Sequence, residues 1–292
     1  MRENMKSILS LWSIILIFVA CQTLATAPCF ASSTFQPKTN DIRIHAWEHS
    51  PYISSQLPHK GLHAELIQAA FNAMQTTIQL IILPVKSHVK DALNNDNALA
   101  VVAYDWQSTD NRSNELQIPF VLLMGKLFYA PERHSEIKNI YRIDHLPALP
   151  CMILKSDNIS FYQNTPLDIT PCDQQTLIKH LSTSFSGLVS IEWLLGKHLL
   201  LQRQTKPPID ISRITIWETS VPLIFNKKHK YGAKHAKTFK QGLSKIIQNG
   251  TYLKMLQKYL GRINHPDELI TLLKRHQLKS EIYNQWNPMK LF

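Results

Sequence analysis

Apolar residues recur along this chain with two periods that take turns. Ile42 to Trp47 alternates and reads as a strand, whereas Leu62 to Met74 places apolar residues at 62, 66, 69, 70 and 73, one stripe of a helix. Thr77 to Leu83 is a buried-strand run stopped by Pro84, Lys86 to Leu93 a short helix, and Leu99 to Tyr104 another buried strand. Phe120 to Ala130 is a long apolar strand, long enough to cross between two lobes. A second unit begins near Pro131, with a strand at 149–154, a helix at 173–182, a strand at 188–190 and a helix at 191–202. Strands at 213–217 and 221–226 return toward the first unit, and helices at 234–248 and 251–260 follow, separated by Gly250. The tail carries one more helix, 267–276, and then a polar irregular end. Strand–helix alternation of this kind predicts a mostly parallel α/β sheet.

The first thirty residues break the pattern. Arg2 and Lys6 precede an apolar run from Ile8 to Ala20, 13 residues long, which is shorter than the roughly 20 a spanning helix needs. Small residues follow, and Cys29-Phe30-Ala31 fits a small-x-small cleavage site, so residues 1–31 read as an export signal. The alternative is a lipoprotein signal with Cys21 lipidated. The expected location is the periplasm, with no stable membrane span in the mature chain.

Composition narrows the class. The chain has 292 residues, 44% hydrophobic and 18% charged, which excludes disorder and supports a sizeable core in one or two domains. Of four cysteines, Cys21 and Cys29 leave with the signal, and the remaining pair, Cys151 and Cys172, is expected to form a disulfide in an oxidising compartment. The formal net charge is +11, and ten basic residues with no acidic one lie between Asn226 and Arg262. Lys234, Lys237 and Lys245 oppose Ala236, Phe239, Leu243 and Ile247 on a helical wheel, so the charge reads as a solvated helix face. Export argues against a nucleic-acid partner.

A series of short motifs carries a family resemblance over about residues 41–262. The strand IRIHAW is followed by Pro51-Tyr52 and by Gly61-Leu62-His63-Ala64-Glu65-Leu66. Ser108-Thr109-Asp110-Asn111-Arg112 comes after the strand LAVVAY, with Pro119-Phe120 beyond it. Leu188-Val189-Ser190-Ile191-Glu192 ends a strand on an acid, and Gly250-Thr251-Tyr252 opens a late helix. In this order the motifs resemble the bacterial extracellular solute-binding protein family 3, the periplasmic receptors of polar amino-acid ABC transporters. The resemblance implies a type II periplasmic-binding-protein fold: two α/β lobes, two crossover strands and a cleft between. Lobe one would be 40–130 plus 216–262, lobe two 131–215, and 263–292 a C-terminal extension. It also implies a monomer that binds a small polar solute, an amino acid or related carboxylate, and an ABC transporter permease as partner.

Within that frame Arg112 would pair a ligand carboxylate through two parallel hydrogen bonds, with the Thr109 hydroxyl in support. Glu192 would accept an ammonium, and Tyr52 and Trp106 would wall the cleft. The blander readings are a surface ion pair of Arg112 with Asp110 or Glu115, a helix N-terminal carboxylate for Glu192, and ordinary partial burial for the aromatics. Trp47 reads as core. Where the family has a Gly-Thr-Thr-like turn, this chain has Lys155-Ser156-Asp157-Asn158-Ile159-Ser160, so Ser156 is the substitute donor. No catalytic motif of the G-x-S-x-G, H-E-x-x-H, P-loop or G-x-G-x-x-G kind is present, and no cofactor or metal site is expected. The rival readings are a dehydratase-like enzyme on the same scaffold, with Glu192 or His63 as its acid, and a solute sensor without a transporter.

Overall fold

In the computed structural model the described residues are 42–94, 98–102, 104, 115–182, 188–202, 208–263 and 265–286. Nine strands form one sheet: β1 Ile42–Trp47, β2 Ile78–Leu83, β3 Ala100–Val102, β4 Glu115–Tyr129, β5 Pro150–Leu154, β6 Asp168–Cys172, β7 Leu188–Glu192, β8 Asp210–Ile211 and β9 Trp217–Asn226. The helices are α1 Leu62–Asn72, α2 Lys86–Asn94, α3 Gln174–Ser182, α4 Trp193–Gln202, α5 Gly232–Gln248, α6 Thr251–Leu260 and α7 Pro266–Trp286.

Strand order is β2-β1-β3-β9-β4-β7-β5-β6, with β8 on β4. The expected mostly parallel sheet is mixed. Two parallel sets, β2-β1-β3 and β7-β5-β6, flank a central antiparallel pair. That pair, β4 and β9, is in register from Glu115↔Asn226 to Gly125↔Trp217, with an irregularity between Pro119 and Val121. Parallel neighbours need crossovers, which the helices between strands supply, whereas β4 and β9 meet as long antiparallel strands. The two return strands expected at 213–217 and 221–226 are a single strand, because β4 offers a partner along the whole length.

Two packing centres meet on the central pair. Ile44, Leu66, Phe71, Phe120, Val221, Phe225, Phe239 and Tyr252 lie in one. Leu127, Tyr129, Cys151, Ile153, Tyr162 and Leu188 lie in the other, backed by Phe128, Leu154, Cys172 and Leu199 on the opposite face of the sheet. Along β4 the side chains change allegiance between Met124 and Leu127. At that crossing Gly125 faces Trp217, and a Cβ there would lie 2.2 Å from the indole Nε1.

Two further expectations are corrected. Cys151 and Cys172 are buried free thiols. They stand on adjacent parallel strands, but Cys151 pairs with Ile169 and Cys172 with Leu154. A three-residue offset separates them by about 10 Å along the strand and turns them to opposite faces, beyond the roughly 7 Å limit for a disulfide. The tail is not irregular after His276: α7 continues to Trp286, its Leu269 and Leu273 buried in the first centre. Gln277 Nε2 and Ser280 Oγ donate to the carbonyls of Pro119 and Gln117 on β4, at 2.9 and 2.7 Å.

Candidate functional site

The carboxyl ends of β1, β5 and β7 carry the polar groups of interest, where ligands sit in sheets of this type. After β1 the chain turns through His49–Ile53, closed by His49 N–H donating to the Ile53 carbonyl at 2.8 Å. The turn is seated on the start of α1: the His63 N–H donates to the Tyr52 carbonyl at 3.1 Å. Gly61 makes this approach possible, since its φ is +92° and a Cβ would stand 2.5 Å from that same carbonyl.

Tyr52 belongs to a cluster of rings. It stacks on His49 and on His63, each at 5.2 Å between centroids. Tyr104 closes the set, 4.3 Å from His49, 5.3 Å from His63 and edge-on to Trp47 at 5.0 Å. His63 Nδ1 and the Tyr104 hydroxyl are 2.7 Å apart. Burial, helped by His49, pushes the His63 imidazole down to about 3, so it is neutral. Trp47 is core, as expected, at 8% exposure.

Glu192 ends β7. Its Oε2 accepts from the Tyr52 hydroxyl at 2.5 Å and from the Leu195 N–H, in the first turn of α4, at 2.9 Å. Burial raises its carboxyl above the usual range, and these donors oppose the rise. The helix-terminal carboxylate weighed in the sequence is therefore present, and the same oxygen also reaches across to the other packing centre.

A second acid stands beside it. Asp157, in the turn after β5, is pushed up to about 6 by burial, with the Glu192 charge adding to the shift. The Tyr162 hydroxyl lies 3.5 Å from Asp157 Oδ2 and 3.1 Å from Ser190 Oγ, and it accepts from Trp217 Nε1 at 2.9 Å. Trp217 stacks on Phe161 at 5.0 Å. On β4 the buried Lys126 Nζ donates to the carbonyls of Arg213 and Ile214 at 2.9 and 3.2 Å, and it lies 5.5 Å from the Trp193 ring. Burial lowers this ammonium to about 8.

Of the site residues expected from sequence, Tyr52 and Glu192 come together. Ser156 is exposed on the turn that carries Asp157. Arg112, Thr109 and Trp106 lie outside the described residues. Asp157, Tyr104 and Lys126 were not singled out from sequence. Asp157 had a usable signal, because it follows Ser156 in the same post-strand turn. Lys126 had none, since a lysine in an apolar strand gives no hint of which carbonyls it will meet. No group of three or more metal-ligating side chains occurs among the described residues.

No family model matches the chain, and no curated protein does. Solved structures match in fold. The second substrate-binding domain of GlnP from Lactococcus lactis, in its open conformation, superposes with a TM-score of 0.62 at 16% identity, covering 78% of this chain and 98% of that one. The extracellular-binding protein ytmK from Bacillus subtilis gives 0.56 at 14% identity, covering 76% and 99%. The VFT2 domain of BvgS from Bordetella pertussis gives 0.51 at 10% identity, covering 75% and 92%. The fold is thus the type II periplasmic-binding-protein fold, two α/β halves joined through long crossover strands.

Proposed function

We propose that this chain is an extracytoplasmic solute-binding protein that captures a small polar solute between two lobes and delivers it to an ABC-type permease. The observation that carries the reading is the Tyr52–Glu192 contact, which joins the two packing centres at the carboxyl ends of their strands. In this reading lobe one is 40–130 plus 216–262 and lobe two is 131–215. Of the extension, 263–292, α7 packs on lobe one through Leu269 and Leu273, and residues 1–31 direct export to the periplasm.

The chemistry of the site favours a solute with an ammonium group. Glu192 and Asp157 both face the Tyr52 side of the cleft, and both press on the Tyr52 hydroxyl electrostatically. An incoming ammonium replaces that hydroxyl on Glu192 and draws the lobes together. Arg112 and Thr109 take the carboxylate of an amino acid, Tyr52 and Trp106 wall the ligand, and Ser156 reaches it from the rim. The reading is binding without turnover. Of the two acids a dehydratase could use, Glu192 is the partner of the ligand ammonium and keeps the Leu195 N–H in the first turn of α4, and His63 is buried and neutral.

A thermal-shift screen of amino acids, carboxylates and simple amines tests this. A ligand at tenfold excess over its Kd adds about 1.4 kcal/mol, a measurable shift. Glu192→Gln should weaken every amine-bearing hit, and Arg112→Ala only those with a carboxylate. A panel without a single hit sinks the reading, and loss of the solute during long incubation replaces it with an enzyme.

A further inference from the structure

Within the basic stretch between Asn226 and Arg262, some lysines meet another element and a group near the start of α5 does not. Lys240 meets Glu281 of α7 at 2.5 Å, Lys258 meets Glu65 of α1 at 2.6 Å, and Lys245 Nζ lies 3.4 Å from the Ala73 carbonyl. At those positions the fold brings a partner from another element. At Lys228, Lys230, Lys234 and Lys237 it does not: all four are exposed, and among the described residues none has a carboxylate within ion-pair distance. They lie within ten residues, on the loop before α5 and on its first two turns.

This placement is unfavourable by itself. The first turn of α5 holds no acidic residue, and lysines there sit at the positive end of the helix dipole. Lys234 and Lys237 are three apart on α5, a spacing at which like charges repel on a helix surface, and Lys228 and Lys230 precede them on the adjoining loop. The opposite face of the helix is fixed in the core by Ala236, Phe239 and Leu243, which sets the face from which Lys234 and Lys237 project. Local conflict of this kind, with no carboxylate partner among the described residues, is what a surface that meets something else shows.

We propose that the start of α5 is a docking surface for an anionic phospholipid membrane. The patch is built from lysine alone, a point charge without the planar fork that matches individual carboxylates, which suits a diffuse field of headgroups rather than a shaped acidic partner. Tyr231, half-buried with Lys230 Nζ 5.2 Å from its ring, adds an amphipathic side chain of the kind that settles at headgroup level. The position also leaves the cleft open. β9 runs from Trp217 at the crossing to Asn226 beside the patch, on the order of 30 Å for nine strand steps.

The test is co-sedimentation of the full chain with phosphatidylcholine vesicles and with vesicles of phosphatidylcholine and phosphatidylglycerol at about 7:3. Wild type should bind the anionic vesicles at least tenfold more tightly, with the preference fading as salt rises above about 0.3 M. The variant Lys230→Gln/Lys234→Gln/Lys237→Gln should lose tenfold or more, while Lys240→Gln, on the same helix but paired to Glu281, should lose less than twofold. Removing exposed like charges should leave Tm unchanged or raised, so the triple variant remains folded for the measurement. The apolar segment near the N-terminus, with Arg2 and Lys6 before it, is the same in wild type and both variants, so it cancels in the comparison between them. Equal binding to the two vesicle types, undiminished binding by the triple variant, or capture by polyglutamate without vesicle binding would each overturn the proposal.

Discussion

The Tyr52 hydroxyl stands 2.5 Å from Glu192 Oε2, although 140 residues separate the two in sequence. The bond favours the ionised form of a carboxyl that burial pushes above its usual range. Tyr52→Phe removes the donor and leaves the ring. Loss of one buried hydrogen bond to a charged group costs about 1.5–3 kcal/mol, or several degrees in Tm for a chain of this size. The sign with pH is fixed. Without the hydroxyl the folded-state pKa of Glu192 rises further, so the folded variant holds its proton to higher pH. The variant's deficit should therefore grow as pH increases from the ordinary glutamate range upward. Urea midpoints at pH 4 and pH 7 measure it, and a deficit that is the same at both would remove this account of Glu192.

Glu192 also marks how far sequence could go. Its place at the end of an apolar strand and the start of a helix was legible from periodicity, as were α1, α6 and the long crossover strand. The pairing with Tyr52 was not, because periodicity is local and the contact joins distant segments. Asp157 escaped for a related reason: in sequence it is one polar residue in a polar turn, and only the fold buries it beside another acid. The cysteines illustrate the opposite failure. An even pair in a chain expected to be exported points to a disulfide, but strand register sets whether two side chains meet, and register is a tertiary fact.

The thiols of Cys151 and Cys172 should both be titratable once the chain is unfolded without reductant. In the folded protein Cys151 should be inert, since burial raises it to about 12 and leaves almost no thiolate. Iodoacetamide labelling followed by peptide mapping distinguishes the cases. Dithiothreitol should leave Tm unchanged. A disulfide-linked peptide containing both residues would contradict the observed register.

His63 gives the fold an acid limit. Its pKa falls to about 3 in the folded state, against about 6.5 for an unfolded histidine. Between those values the unfolded chain binds the extra proton, so the stabilisation from neutral His63 is complete above pH 6.5 and is lost as pH falls toward 3. His63→Phe keeps a ring against Tyr52 and Tyr104 while removing the titration. The variant should be less stable at pH 7, by roughly 1 kcal/mol for the lost bond to Tyr104. The difference should then narrow or reverse by pH 4. Parallel stability curves over that range would show that His63 does not set the slope.

The crossing of β4 and β9 depends on an absent side chain. Gly125 pairs with Glu192 on one side and Trp217 on the other, so the residue that separates the two packing centres is also the strand neighbour of Glu192. A methyl group there would enter the Trp217 ring, with three ring atoms within 2.5 Å of the new carbon. The indole cannot simply step aside, because its Nε1 is held by Tyr162 and its face by Phe161. Gly125→Ala should therefore destabilise by about 1–3 kcal/mol, the usual cost of overpacking a fixed contact. Trp217→Leu alone should also destabilise, through the lost ring stack and the lost hydrogen bond. The informative quantity is the double variant: with the indole gone, the added methyl has room, so the second substitution should cost much less than it does in the wild-type background. Denaturant midpoints of the four proteins in this cycle measure the coupling. Additive effects would mean that the glycine is required for its backbone and not for the ring that lies against it.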